Sequence, residues 1–454
     1  MKAIKDSDKK VAVIGGGASG IITARILQEA GFRVKIFEKA HSFGGTWRYS
    51  ECCEIGAMYQ SLRTNLPKEA MVYLQAAKGY QTKNSFSSHK DVLQYLVENA
   101  TAWSLEDITY FDTQVIRIEP ANSEISQLVE NANIDCPENY QDQLNNIAWR
   151  VSSRNKEGFE QTEIFDFVAV CNGHFDQPLY PSLPGSDDTA IKISHSQSYR
   201  KPDGFEGVVL CVGFASSGVD ISKEISDHGC EVYVAKRDVS LKEEQEAISG
   251  KSNVPHYKGF VSSPVKIAKA PGQKDRVETG HGSLIEVDHI LWCTGYVYDF
   301  PFLAENILSK NGKLVHPLWK QLIHCLYPSL AFLGIPWKIL PFPFFETQAI
   351  ALANIWSGEI KLPDARNRIQ EMHASYRHMT EDLELSKHYM HMLGDEQWAY
   401  HRDLLAFVGQ LNEQKETQLK TLEENFICAK IARESNPYRY RDEVYDFKKP
   451  SVSQ

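Results

Sequence analysis

What this chain of 454 residues lacks narrows its function before any motif is read. No apolar run reaches the length of a membrane span, because the most hydrophobic stretch, SLAFLGIPWKILPFPFFE from Ser329, is broken by Pro336, Lys338, Pro341 and Pro343. That stretch reads as buried wall. An excess of positive charge is missing too, and a net charge of -10 argues against a nucleic-acid partner. The nine cysteines are odd in number and contain no C-x-x-C pair, which fits a reduced compartment better than a disulfide framework. Cys171, Cys211 and Cys293 sit in apolar runs, where cysteine packs as a small hydrophobe. The first residues, MKAIKDSDKK, carry charge with no apolar segment before the first strand, so no secretory signal is visible. A signal trimmed ahead of residue 1 would leave no trace. The expectation is a soluble, cytoplasmic protein without a membrane anchor, with secretion left open.

What is present is ordinary globular composition, 42% hydrophobic and 24% charged, in a chain long enough for two or three domains. Two strand, glycine turn, helix, strand units stand about two hundred residues apart, at Val11 to Glu38 and Val208 to Arg237, each with the alternation of a parallel sheet covered by helices. Further strand-like runs surround Val168 and begin at His289. The fold class expected is therefore α/β, with two Rossmann-like dinucleotide-binding domains, the second inserted in the first. The boundaries expected are residues 1–175 and 294–362 for the first, 176–293 for the second, and 363–454 for a helical carboxy-terminal region. In the first domain, the acidic, Asn-rich stretch from Glu119 to Asn146 reads as a solvated excursion from a sheet. After Pro363 the apolar residues Ile369, Met372, Tyr376, Met379 and Leu383 recur at helical spacing behind Asp364 as a cap. Leu404, Leu405, Val408 and Leu411, then Leu419, Leu422 and Phe426, continue it. These helices either pack back on the core or pair with another copy in a homo-oligomer, and sequence favours neither.

In the first unit, VAVIGGGASG places Gly15, Gly17 and Gly20 in the G-x-G-x-x-G arrangement between a strand and a helix. Gly15 permits the tight turn, Gly17 lets a pyrophosphate approach backbone, and Gly20 allows the helix close to the strand. Ala18 and Ser19 open a helix whose free N-H groups face the phosphates. About twenty residues on, VKIFEK ends in Glu38 and Lys39, and the carboxylate can accept both ribose hydroxyls while repelling a 2'-phosphate. This suits FAD or NAD. The following GGTW, Gly44 with Gly45, Thr46 and Trp47, offers flexible backbone for the rest of a flavin. In the second unit, VVLCVGFASSGVDIS repeats the layout with Gly213, Ala215, Ser216, Ser217 and Gly218. Its next strand ends without an acid: Ala235 is followed by Lys236 and Arg237, cations suited to a 2'-phosphate and hence to NADPH. No metal ligand set is assigned.

Together these pieces resemble the flavin-containing monooxygenases over roughly residues 10 to 360. MYQSLRTNLPKEAM from Met58 resembles the family's Asn-bearing segment, HSQSYR from His195 the tail of its identifying motif, and LWCTGYVYDFPFL from Leu291 its second linker. LAFLGIP from Leu330 and ETQA from Glu346 resemble positions near the flavin. The identifying motif departs where the family has Phe and Gly, since this chain has Thr189 and Ile191. The resemblance implies an enzyme that uses FAD and NADPH to transfer oxygen from O2, through a flavin hydroperoxide, to a small nucleophilic substrate. That substrate would be a tertiary amine or alkaloid nitrogen, or sulfur, as in xenobiotic detoxification. It also implies that the amide of Asn65 is the catalytic group stabilising that intermediate, and that Thr64, Thr294, Gly295, Tyr296 and Gln348 join the cofactor sites. Tyr199, where the related Baeyer-Villiger enzymes would have Trp, leans toward N- or S-oxygenation. The missing apolar anchor makes the chain resemble soluble members, the insect pyrrolizidine-alkaloid (senecionine) N-oxygenases among them.

No general base is needed for such a reaction, because the substrate supplies its own lone pair. His195 and Tyr199 are expected to organise a junction between the domains, and Asn172 and His174 to serve as hinge. Phe342, Phe344, Phe345 and Trp337 are candidates for a substrate pocket, with core packing their alternative role. Three rivals stay open: a Baeyer-Villiger enzyme, a non-catalytic dinucleotide-binding redox sensor, and a disulfide reductase, for which the adjacent Cys52 and Cys53 are a poor redox pair.

Overall fold

The structure, a computed structural model, describes residues 8–51, 56–124, 144, 147–269, 272–304, 306–311, 313–386 and 389–450. The first residues of the chain, the Cys52 and Cys53 pair, and most of the expected excursion between Glu119 and Asn146 lie outside the described residues.

The strands of the two main sheets are β1 (Lys10–Ile14), β2 (Arg33–Phe37), β3 (Thr109–Tyr110), β4 (Phe167–Val170), β5 (Lys192–His195) and β6 (Val208–Val212). They continue with β7 (Glu231–Ala235), β8 (Gly259–Val261), β9 (His289–Trp292), β10 (Leu318–Trp319), β11 (Ile323–His324) and β12 (Leu330–Phe332). The helices used below are α1 (Ala18–Glu29), α2 (His89–Ala102), α3 (Ser216–Asp227), α4 (Leu241–Ile248), α5 (Pro341–Trp356), α6 (Ala365–Arg377), α7 (Gln397–Phe407) and α8 (Glu413–Ser435).

The chain divides into two compact units, one of Met1–Arg48, Arg63–His174 and Tyr298–Gln454, the other of Tyr49–Leu62 and Phe175–Val297. The short piece Tyr49–Leu62, which the sequence assigns to the first domain, belongs here to the second unit.

The first unit is built on a seven-stranded sheet in the order β10-β11-β12-β4-β1-β2-β3. Its centre is parallel, Ile14 lying opposite both Phe37 and Val170, and Val170 opposite Phe332. The reason is legible in VAVI and FVAV: apart from the half-buried Phe167 these short apolar runs are buried, as strands of a sheet covered on both faces must be. Burying each Val or Ile contributes about 1.5–3 kcal/mol. Because β1, β4 and β12 run the same way in register, the loops after Ile14, Val170 and Phe332 leave from one edge of the sheet. The order turns between β1 and β4, and such a switch point is where open α/β sheets receive ligands. A three-stranded antiparallel sheet, Thr113–Pro120 with Trp149–Asn155 and Glu160–Phe165, completes the strand frame.

The carboxy-terminal helices pack back on this same unit. Ile369 and Met372 of α6, Trp398 and Leu404 of α7 with Val408 just past its end, and Leu422 of α8 join the core that contains β1 and α1. Asp364 caps α6 through the Asn367 N-H at 2.8 Å, as its sequence suggests. Phe342 and Phe344 of α5 are fully buried in packing, Phe342 stacked on Tyr73 at 5.2 Å, so of the four candidate pocket aromatics only Phe345 and Trp337 keep any exposure.

The second unit holds a five-stranded parallel sheet in the order β8-β7-β6-β9-β5, with its own core of Leu210, Val212, Tyr233, Val261 and Ile290. A second antiparallel sheet, Pro264–Ala268, Arg276–Thr279 and Leu284–Glu286, adds to it. Among the described residues no helix is long and apolar enough to cross a membrane.

Candidate active site

The first glycine loop follows β1 without a break. Gly15 adopts φ +110°, and its N-H donates to the Phe37 carbonyl at 2.8 Å. A Cβ there would lie 2.6 Å from the Cys171 carbonyl oxygen, and one on Gly20 would lie 1.9 Å from that of Gly15. Neither position admits a side chain. Gly17 caps α1 in an extended conformation with no side chain bonded to the first turn, which leaves the opening amides around Ala18 and Ser19 without a side-chain cap. Glu38, 5% exposed, accepts from the Gly16 N-H at 2.6 Å and from the Ala40 N-H at 2.8 Å. Two amides thus hold the carboxylate beside the loop, ready for a ribose. Lys39 points to solvent.

Gly45, Thr46 and Trp47 form a single 3-10 turn, the Gly44 N-H donates to the Gly16 carbonyl at 3.0 Å, and a Cβ on Gly45 would lie 2.8 Å from the Gly17 Cα. The second glycine run is therefore docked against the first. Tyr73, unassigned from sequence, ties a further segment to the same helix: its hydroxyl donates to the Ala18 carbonyl at 2.6 Å while its own N-H donates to the Tyr95 hydroxyl at 2.8 Å. Burial raises the Tyr73 pKa well above normal, so it stays a neutral donor. Only a tyrosine in an otherwise apolar MVYL run could have hinted at it.

Asn65 is half-buried, and its neighbour Thr64 is buried with its N-H on the Ser87 carbonyl at 2.8 Å. Thr64 Oγ1 has no partner among the described residues, an arrangement that a bound polar group would satisfy. With the close glycine cradle, the uncapped helix start and the oriented carboxylate, the residues present fit a flavin dinucleotide. Gln348 is buried and its amide is engaged, accepting from the Gly334 N-H at 2.9 Å and donating to the Tyr400 hydroxyl at 3.0 Å. It braces the loop after β12. Asn172 donates to the Asp299 carbonyl at 2.9 Å, and burial lowers the His174 pKa to about 4.

The second glycine loop repeats the first. Gly213 has φ +106°, its N-H donates to the Ala235 carbonyl at 2.9 Å, and a Cβ would lie 2.6 Å from the Cys293 carbonyl oxygen. On Gly218 a Cβ would lie 2.1 Å from the Gly213 carbonyl oxygen. Ala215, Ser216 and Ser217 are exposed at the uncapped start of α3. Past β7, Lys236 Nζ lies over the Phe260 ring at 4.0 Å and Arg237 is exposed. These residues fit a nucleotide that carries a further phosphate.

His195 and Tyr199 make bonds inside the second unit. His195 Nδ1 accepts from the Gln197 N-H and Nε2 donates to the Gly295 carbonyl, both at 3.0 Å, while burial lowers its pKa to about 4. Tyr199 donates to Glu224 at 2.9 Å. Thr294 donates to the Leu179 carbonyl at 2.5 Å and Tyr296 pairs with Pro178, so the Thr294 to Tyr296 run is tied to the Gln177 to Leu179 segment of the same unit.

Comparison with known proteins agrees with this geometry. The flavin-binding monooxygenase-like family matches residues 8–244 and 277–441. A flavin-containing monooxygenase of Arabidopsis thaliana, FMO GS-OX-like 4, is 33% identical, covering 96% of this chain and 94% of its own. The structure of S-allyl-L-cysteine S-oxygenase from Allium sativum superposes with a TM-score of 0.79 at 31% identity, covering 97% of this chain and 96% of that one. That of Tmm from Pelagibacter sp. strain HTCC7211 gives 0.76 at 20% identity, over 98% and 95%, and so shares the fold. None of these is an insect enzyme. The chain accordingly belongs to the flavin-binding monooxygenase-like family as a flavin monooxygenase enzyme.

Proposed function

We propose that the chain uses NADPH and O2 to oxygenate the sulfur of a small thioether, giving the sulfoxide, NADP+ and water. The observation that carries the reading is the pair of matching glycine loops followed by opposite charges, Glu38 in one and Lys236 with Arg237 in the other. The likeness to an S-oxygenase over nearly the whole chain directs it toward sulfur. Bound FAD, once reduced, supplies the activation of O2.

The chain's own groups do the rest. The amides opening α1 bind the flavin pyrophosphate and Glu38 its ribose, while Lys236 and Arg237 pair with the 2'-phosphate of NADPH. Ser216 and Ser217, with the amides opening α3, take that nucleotide's pyrophosphate. With flavin bound, the Asn65 amide would supply a hydrogen-bond donor that limits wasteful release of H2O2. No side chain has to remove a proton from substrate, because the sulfur lone pair attacks. A tertiary amine nitrogen is the second candidate nucleophile, since Tyr199 stands where Baeyer-Villiger enzymes would have Trp.

The test supplies S-allyl-L-cysteine, a tertiary amine and a cyclic ketone in parallel with NADPH and 18O2. The expected product is labelled sulfoxide with little H2O2. Lactone formation would favour the Baeyer-Villiger reading, and NADPH left unoxidised in every arm would overturn both.

A further inference from the structure

We propose that Arg441, near the carboxy terminus, is a positioning residue for Asn65. The inference rests on the reading of Asn65 given above, and it starts from the peptide group joining Thr64 to Asn65. That group is planar, so whatever holds the Thr64 carbonyl also fixes the direction of the Asn65 N-H and Cα. Arg441 Nε donates to this carbonyl at 3.0 Å.

The contact is part of a two-sided clamp within the first unit. On one side, Arg63 pairs with Ser88 as an isolated antiparallel bridge, and the Thr64 N-H donates to the Ser87 carbonyl at 2.8 Å. Ser88 then caps α2 through a capping box with Asp91, so this side is anchored to a helix start. On the other side, Arg63 reaches back to the tail, its guanidinium donating to the Asp442 carboxylate at 2.5 Å and to the Arg441 carbonyl. Two arginines thus cross between the segments, each bonding the other's backbone or neighbour. Asn65 is the next residue along.

The Arg441 guanidinium also lies over the Tyr440 ring at 4.9 Å, but the tail has several other anchors. Tyr440 packs edge-on against Phe86 at 5.0 Å, and Tyr445 and Phe447 pack on the same ring at 6.0 and 5.9 Å. Asn436 donates to Glu443 at 2.9 Å, and Asn425 of α8 bonds both the carbonyl and the N-H of Lys448. Removing the Arg441 side chain therefore releases the Thr64 carbonyl while the tail stays docked. A misplacement of about 1 Å in a group that orients chemistry is enough to lose roughly a hundredfold in rate.

The experiment uses the full flavin-loaded chain as Arg441→Ala, Arg441→Lys, Asn65→Ala, the Asn65→Ala/Arg441→Ala pair, and Lys430→Ala as control. It reads H2O2 formed per NADPH oxidised, deuterium uptake of peptides covering residues 60–68, and flavin content. Arg441→Ala is expected to raise H2O2 per NADPH about three- to tenfold at unchanged flavin content, with uptake at residues 60–68 roughly doubled. Arg441→Lys should fall between, and Lys430→Ala should match the unmodified chain. Adding Arg441→Ala to Asn65→Ala should raise uncoupling no further, because both act through one group. Wild-type coupling and uptake in Arg441→Ala, beside an uncoupled Asn65→Ala, would overturn the positioning role alone, as would additive uncoupling in the pair. A fully coupled Asn65→Ala would overturn the reading of Asn65 and this inference with it.

Discussion

The two glycine loops are close to the same object twice. Gly15 and Gly213 turn at φ +110° and +106°, each would drive a Cβ to 2.6 Å from a cysteine carbonyl oxygen, and each donates its N-H to the last residue of the next strand. They differ in what surrounds that frame. In the first unit the acid after β2 is buried and bonded to the loop, and Gly45 is packed onto Gly17. In the second, Ala215 replaces the middle glycine and stands exposed, and of the cations after β7 Lys236 lies over Phe260 while Arg237 is exposed. In the function proposed above, the backbone sets the place of a pyrophosphate and the groups after the second strand set which ribose is accepted; among the described residues, the docked Gly44 to Trp47 turn accompanies the first loop.

The comparison breaks most severely at the third glycine of each loop. Gly20→Val should remove flavin binding and cost about 3 kcal/mol or more of stability by overpacking, whereas Gly218→Val should leave a yellow protein that no longer oxidises NADPH. Flavin absorbance per chain and NADPH consumption report this directly, and a Gly218→Val protein that loses its flavin would contradict the separation of roles. Next in size are the ribose contacts. Glu38→Gln should weaken flavin binding about ten- to hundredfold, as expected for losing a charged hydrogen-bond acceptor. Arg237→Ala should raise the KM for NADPH about tenfold or more while that for NADH moves little. Equal changes for both nucleotides would refute the 2'-phosphate assignment.

The smallest effect concerns acid. Burial lowers His174, His195 and His289 to about 4 and His324, His391 and His401 to about 3. An unfolded histidine takes up its proton near pH 6.5, so between about 6.5 and 4 the unfolded chain binds protons that the folded one refuses. Stability contributed by these groups is fully present above that window and falls as pH drops through it. Four of the six, His174, His324, His391 and His401, lie in the first unit, with buried Glu346, whose pKa burial raises, acting in the opposite sense. Flavin release on heating should therefore shift more between pH 6.5 and 4 than hydrogen exchange across β6 and β7. A larger shift in the second unit would reverse this ranking.

Both loops, their strands and the charges after them were readable because each is a local pattern within about thirty residues, and local patterns carry strand and helix periods directly. The capped start of α6 was readable for the same reason. Other parts depend on contacts between distant residues, which no window reveals. Gly45 packing on Gly17, Tyr73 bonded to Ala18, and Arg441 holding Thr64 belong there, as does the choice of α6 to α8 to join the core of the first unit. The bracing of the loop after β12 by the Gln348 amide is a long-range contact of the same kind.

The central claim, one backbone design carrying two ribose chemistries, is tested most directly by mixing purified protein with NADPH or NADH without oxygen and following the bleaching of its flavin. One flavin per chain is expected, reduced at limiting nucleotide about ten- to hundredfold faster by NADPH than by NADH. A colourless protein that does not take up FAD, or equal bleaching by the two nucleotides, would contradict it.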